Sequence, residues 1–513
     1  MRISASSMTR SLLVAGVAMF GSAVLGVTTT LAAEVALNAA VTPLVVPGTG
    51  TPNPKDSDNY MGNAVAYYVE PGGTCGADGC TTPVPVPYIA QFWPFPFPGW
   101  GGLQGAKWNV SVASGVTSLT SQLVGSNNPT DDHPVIVFGY SQGATVAGIV
   151  KGQLADLPTD QKDDLTFVLI GDPNRPNGGL FERLAMLGTV PVLDATFGQP
   201  TPTDTGITTY DIALQYDGVS DAPSWVLNPL AMANALAGFG YVHGTYLAPD
   251  GTDPASATPY GYTPEQVQAA VANAKADCSE ATHCQQEGDT YYITLPAKYL
   301  PIMQPLLDLG AATGTSEIVV PVVNLISPTV QTLIETGYDR SDYGTPTPFQ
   351  LVPKINPVTL AVDLVNDIPE GIAAASQPGL APLPGWTDPT QTVITAPTTT
   401  DTAPAPITAT STPDVQKVTA TTDLKPSPRL SAIAKPTKGA TGTAAAATQT
   451  DRPSLRKTLG VNEHPVHDLA KSLGSTVRKS LGQDGTKVTP KSSTGIKTTH
   501  KDDGGTKVAK PAA

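Results

Sequence analysis

Apolar positions along the chain fall into two patterns. Several short runs are apolar at nearly every residue: Leu44-Val45-Val46, Pro134 to Phe138, Leu165 to Ile170, and Ile212 to Tyr216. Runs of this kind predict strands buried on both faces of a parallel sheet. Val84 to Ala90 reads as a further strand. Between these runs the apolar residues space out. Val110, Val112, Val116, Leu119 and Leu123 recur near helical spacing and predict a helix over 107–123. Ala144 to Leu154, Ala231 to Ala237, 262–277 and 297–309 read as helices too. Ile318 to Leu325 is a β-branched run interrupted by Pro321, which the pattern alone does not place. Strands alternating with helical segments predict an α/β fold, with a mostly parallel central sheet flanked by helices.

The pattern stops near residue 385. Beyond it the chain is Thr, Pro, Ala, Ser and Lys with few large apolar residues, which cannot bury enough surface to offset ordering entropy. A disordered tail is expected over 385–513. Charge divides at the same place: 12 Lys+Arg face 33 Asp+Glu before it (-21), and 17 face 10 after it (+7), giving the net -14. The acidic body argues against nucleic acid as a partner, because phosphate binding needs Lys and Arg. The basic tail is suited to long-range attraction to acidic cell-wall polymers or a lipid surface, set against a plain solvated spacer. At the other end, Arg2 and Arg10 precede an apolar stretch of small residues, Ser11 to Val27, and Leu31-Ala32-Ala33. This predicts a cleaved signal peptide over 1–33, and hence a secreted or envelope protein with its folded domain over 34–384. Four cysteines agree with export. Cys75 and Cys80 form one local pair and Cys278 and Cys284 another, which predicts two small disulfide-closed loops.

Candidate chemistry begins at Gly139-Tyr140-Ser141-Gln142-Gly143, between a predicted strand and a predicted helix. That is the context in which Gly-x-Ser-x-Gly forms the nucleophile elbow of an α/β-hydrolase. The flanking glycines leave room for a tight turn around Ser141. A serine hydroxyl is a weak nucleophile and needs a base. Only three histidines precede residue 385. His133 falls at the far end of the nucleophile strand and His283 inside a cysteine loop, which leaves His243. The acid should follow a strand between nucleophile and base. Asp217 and Asp221 both follow the run Ile212 to Tyr216, and Asp221, on the loop past the strand, is the favoured one. An oxyanion hole is expected from the backbone N–H of Gln142 and from the loop Gly48-Thr49-Gly50-Thr51. Within that loop Thr49, Gly50 and Thr51 are the candidate contributors. No Gly-Lys-Ser/Thr follows the loop, so phosphate binding is a poor reading of it. The aromatic stretch Phe92 to Trp100 is equally suited to lining an acyl pocket and to ordinary packing.

Residues 41 to 350 resemble the PE-PPE C-terminal domain of mycobacterial envelope proteins. The resemblance rests on Leu44 to Pro54, Phe138 to Ala144, Gly171-Asp172-Pro173 with Asn177-Gly178-Gly179, Tyr216 to Asp221, and Tyr241-Val242-His243-Gly244. It implies a cutinase-like serine esterase or lipase, with the reacting groups carried onto Ser141, Asp221 and His243. A helical PE or PPE module in front is not apparent, and the signal-like segment favours general secretion over a specialised route. The expected activity is hydrolysis of carboxylic acyl esters or lipids through an acyl-enzyme. The alternatives are an envelope acyltransferase using the same groups and a non-catalytic envelope protein on the same scaffold. Nothing in the sequence calls for a metal or an organic cofactor.

Overall fold

The computed structural model describes residues 40–252 and 258–391. The expected signal segment and the residues after 391 lie outside them. Among the described residues nine strands follow in chain order: β1 Thr42–Val46, β2 Val84–Pro85, β3 Val135–Tyr140, β4 Leu165–Ile170, β5 Thr189–Val190, β6 Ala195–Thr196, β7 Thr209–Leu214, β8 Cys284–Glu287 and β9 Thr290–Leu295. Seven of them form one sheet in the order β2-β1-β3-β4-β7-β9-β8. Every pairing in it is parallel except β8 with β9, and β5 and β6 pair separately as an antiparallel ribbon. The fold is α/β, with a mostly parallel sheet between layers of helices.

The all-apolar strands are buried on both faces, as their composition requires. Ile136, Phe138, Val168, Ile170, Ile212 and Leu214 point into one core. Their neighbours Val135, Val137, Leu165, Phe167 and Leu169 point into the other. This is the period-two alternation of a strand expressed in a doubly covered sheet.

The helices are α1 Tyr60–Ala64, α2 Trp108–Leu123, α3 Gln142–Gln153, α4 Thr159–Lys162, α5 Leu180–Arg183, α6 Pro229–Tyr241, α7 Pro264–Ala276, α8 Gln304–Thr313, α9 Ser316–Glu335 and α10 Pro357–Ala375. One local expectation changes in extent, and one run that the pattern does not place finds its place. The strand expected over Val84 to Ala90 pairs only at Val84 and Pro85, because Pro83, Pro85 and Pro87 remove alternate backbone donors. The β-branched run Ile318 to Leu325 is helical: it belongs to α9, which carries Pro321 and Pro328 within it and buries Val323, Asn324, Pro328 and Ile334. The disulfides are the two local ones, Cys75–Cys80 and Cys278–Cys284. Packing runs past the compositional boundary at 385. Trp386 donates from its indole to the Tyr262 hydroxyl at 3.3 Å, and the Asn273 amide donates to the Pro389 carbonyl at 3.0 Å.

Because β1, β3, β4 and β7 run parallel, their carboxyl ends meet along one edge. Gly48 to Thr51, Ser141, Gly171 and Asp217 all emerge there. This is where open α/β sheets place their sites.

Candidate functional site

Ser141 occupies the turn between β3 and α3 at φ 54°, ψ -118°. A non-glycine residue at positive φ is uncommon and costs on the order of 1–3 kcal/mol, which surrounding structure must enforce. Here the Ser141 N–H donates to the Ile170 carbonyl at 3.0 Å, and its own carbonyl accepts from Ala144 N at 2.9 Å. Close approach of α3 to β1 makes glycine necessary at 143. A Cβ there would stand 2.3 Å from the Val46 carbonyl oxygen and 2.6 Å from that of Pro47.

The turn aims the hydroxyl at His243. His243 Nε2 lies 2.8 Å from Ser141 Oγ. The imidazole sits in a one-turn helix, His243–Thr245, just past α6. It stacks on Phe239 at 6.2 Å between centroids, and its carbonyl accepts from the buried Tyr140 hydroxyl. Gly171 at the end of β4 leaves space for the ring, since a Cβ there would be 3.1 Å from His243 Cε1.

The carboxylate behind the imidazole is Asp217. Its oxygens are 3.0 and 3.1 Å from His243 Nδ1. It also accepts from Val219 N at 2.9 Å, Ser220 Oγ at 2.7 Å and Tyr246 Oη at 2.8 Å. Burial acts to raise the carboxyl's pKa. The charge and hydrogen bond of His243, with the Val219 and Ser220 donors, outweigh it and hold it below the ordinary value. Burial beside this carboxylate drives the Tyr246 phenol well above its ordinary value, so it remains a donor.

The expectation that Asp221 meets His243 is therefore corrected. Asp221 turns to the other side of the loop, where Oδ2 accepts from Tyr216 N at 2.8 Å and Oδ1 from Arg340 Nη1 at 2.9 Å. Asp217, three residues past β7, faces His243, whereas Asp221 is held by a guanidinium distant in sequence. The other histidines among the described residues stand apart: His133 Nε2 is 3.1 Å from Thr42 Oγ1 at the amino end of β3, and His283 lies in the Cys278–Cys284 loop.

The N–H of Gln142 begins α3 and has no protein acceptor among the described residues, which leaves it available beside Ser141. The Gln142 side chain is fixed elsewhere, accepting from Ser111 Oγ at 2.8 Å and donating to the Gln91 carbonyl at 3.1 Å. The 48–51 loop narrows to one donor. Gly50 N donates to Ala90 O at 2.8 Å and Thr51 N to Gly48 O at 3.3 Å, so these two expected contributors hold the turn itself. Thr49 lines the cavity in front of Ser141, and its N–H has no acceptor among the described residues.

That cavity has a volume of about 390 Å³, with Ser141 and His243 at one end. Its walls are Phe92, Phe95, Phe97 and Trp100 from the aromatic stretch, and Phe181 and Phe239 from elsewhere in the chain. The aromatic stretch thus faces the site. Phe181 and Phe239 were not legible as wall residues, because nothing local distinguishes them from core aromatics. A larger cavity of about 650 Å³ opens around Gln215, Arg340 and Trp386, but it holds neither Ser141 nor His243. Position relative to the reactive groups, not size, singles out the smaller one.

A strained serine between strand and helix, an imidazole on its hydroxyl and a carboxylate behind the imidazole thus stand together at the carboxyl edge of an α/β sheet. Residues 80–339 match the PE-PPE domain, and the chain belongs to that family. Among its relatives in Mycobacterium tuberculosis, it is 34% identical to Esterase PE16 over 357 residues, 68% of this chain and 57% of that protein. It is 33% identical to SL1278 acyltransferase Chp1 over 232 residues, 44% of this chain and 52% of that protein. With Diacyltrehalose acyltransferase Chp2 it shares 26% over 270 residues, 50% of this chain and 65% of that protein. The chain thus spans less than two thirds of the length of each.

Proposed function

We propose that the protein is a serine hydrolase that cleaves carboxylic acyl esters through an acyl-enzyme on Ser141. The observation that carries the reading is the line from Ser141 Oγ through His243 Nε2 at 2.8 Å to Asp217 at 3.0 Å from Nδ1. In this mechanism His243 takes the Ser141 proton as the oxygen attacks the ester carbonyl, and Asp217 holds the tautomer and stabilises the imidazolium. The N–H groups of Gln142 and Thr49 receive the developing oxyanion. His243 then delivers its proton to the leaving alcohol. Water, activated by the same imidazole, releases the acid and restores Ser141. The apolar cavity takes the acyl chain. The name of the relative Esterase PE16 supports the same chemistry.

Transfer to an alcohol in place of water is a second reading, favoured by the two relatives named acyltransferases. It uses the same acyl-enzyme and differs only in the second acceptor. The two local disulfides and the signal-like N-terminus support action outside the cytoplasm, in the envelope or medium. The test is turnover of p-nitrophenyl esters across acyl lengths, with Ser141→Ala beside the parent and with and without an added alcohol. Loss of turnover in Ser141→Ala is expected, and undiminished turnover would overturn the reading. Ester product in place of free acid would assign transfer.

A further inference from the structure

We infer that Asp221, Arg340 and Glu335 form a clamp on Tyr216 that aims the Asp217 carboxylate at His243. They are positioning residues, and the inference rests on the proposed roles of Ser141, His243 and Asp217.

Tyr216 directly precedes Asp217, two residues past the end of β7, and its φ is +68°. A bulky residue in the left-handed region is strained and returns to negative φ unless held. Its backbone also sets the direction in which the next side chain leaves the strand, so relaxation at 216 swings Asp217. Three groups hold it. The Tyr216 N–H donates to Asp221 Oδ2 at 2.8 Å. Its hydroxyl donates to Glu335 Oε1 at 2.7 Å. The Arg340 guanidinium lies 5.8 Å from its ring centroid.

Arg340 joins the two carboxylates. Its Nη1 donates to Asp221 Oδ1 at 2.9 Å and its Nε to Glu335 Oε2 at 2.8 Å. One planar fork thus fixes both the backbone end and the hydroxyl end of Tyr216, which a point charge such as Lys cannot do. The loop is further closed by Asp221 N donating to the Asp217 carbonyl at 2.8 Å. Glu335 ends α9 and Arg340 follows it, so the clamp ties the Asp217 loop to a helix more than 100 residues away in sequence. Neither Asp221, Arg340 nor Glu335 lines the cavity in front of Ser141. They act on the reaction at a distance, through the loop that carries Asp217.

The test compares Asp221→Asn and Arg340→Lys in the full chain with Asp217→Asn and Ser141→Ala. The clamp variants are expected to lose about 10- to 100-fold in kcat with KM little changed, the size of effect that a displacement of about 1 Å produces. The acid limb of kcat/KM against pH should move to lower pH, because the imidazolium loses part of its counter-charge. Added guanidinium at non-denaturing concentration should restore part of the kcat of Arg340→Ala. Should a charge variant fail to fold, Tyr216→Phe keeps the buried ring, removes only the bond to Glu335, and should show a smaller loss of the same kind. A lowered melting temperature with kcat and pH profile within about twofold of the parent would overturn the clamp. If Asp217→Asn and Ser141→Ala are as active as the parent, the assignment of the reacting groups fails instead.

Discussion

The Asp217 carboxylate lies 3.0 Å from His243 Nδ1 and is shielded on its remaining sides by Val219 N, Ser220 Oγ and Tyr246 Oη. A carboxylate so enclosed cannot be replaced by solvent when it is neutralised. Asp217→Asn should lower kcat by about 10⁴, since an amide neither stabilises the imidazolium nor fixes the tautomer. Ser141→Ala and His243→Ala should each cost as much or more, with the double variant scarcely worse than either. Steady-state kinetics on a short-chain ester decides this, and a mild Asp217→Asn would remove Asp217 from the mechanism.

Ser141 and His243 were legible because local sequence constrains them: an all-apolar strand, a glycine-flanked serine, a helix, and then a late histidine with no well-placed rival. The acid was not legible. Asp217 and Asp221 follow the same strand, and what separates them is Arg340, more than 100 residues downstream, which draws Asp221 away. The aromatic wall of the cavity was half legible for the same reason. Phe92 to Trp100 announce themselves as a cluster, whereas Phe181 and Phe239 reach the cavity only through the packing of α5 and α6. The edge pair β8 and β9 and the long helix α10 went unread, because Gln285, Gln286 and Glu287 mask the first and Pro369 interrupts the second.

Stability should fall as pH rises toward neutrality. Glu182 is pushed up to about 7 by burial and by the neighbouring Asp172. Burial also raises Asp172 and Asp211, which lie near a single guanidinium, Arg175, with Asp211 3.8 Å from its Nε. These carboxyls keep protons in the folded chain that the unfolded chain releases. Their contribution is complete below the ordinary carboxyl range and is lost as pH rises through the folded values. Asp217 and Asp289, shifted downward, act oppositely only below that range, His283, lowered by burial, offsets part of the fall below its ordinary value, and Lys275, lowered to about 7 by burial, acts oppositely above about pH 7. The melting temperature should therefore drop between about pH 5 and about pH 7, and Glu182→Gln should flatten part of the slope. A melting temperature that climbs over this interval would refute the assignment.

The cavity should set acyl length. Met232 on α6 lines it opposite the aromatic wall. Met232→Trp fills part of the space without touching Ser141 or His243. Each methylene that can no longer be buried forfeits about 0.8 kcal/mol, a factor of about four. Excluding two or three of them should reduce kcat/KM for a decanoyl ester by about 10- to 60-fold while leaving a butyryl ester nearly unchanged. Equal losses on both esters would mean that the chain binds elsewhere.

The close backbone approach at Gly143 gives a test of the oxyanion donors that alters neither the nucleophile nor the base. A methyl group at 143 would stand 2.3 Å from the Val46 carbonyl oxygen, an atom of β1 that has no room to retreat. Gly143→Ala must therefore push α3 away from β1. The displaced end of α3 carries the Gln142 N–H, while Thr49 stays with β1, so the two oxyanion donors separate. Losing one such donor costs about 10²–10³ in kcat, and Gly143→Ala should lose that much, with a smaller change in KM. Gly152 on the same helix is the control. A Cβ there meets only Pro202 Cγ, at 3.4 Å. Gly152→Ala should leave kcat unchanged and stabilise α3 by about 0.5–1 kcal/mol. Circular dichroism and thermal melts establish that both variants fold, and ester turnover then separates them. A folded Gly143→Ala with the parent's kcat would show that the Gln142 N–H does not take part in the reaction.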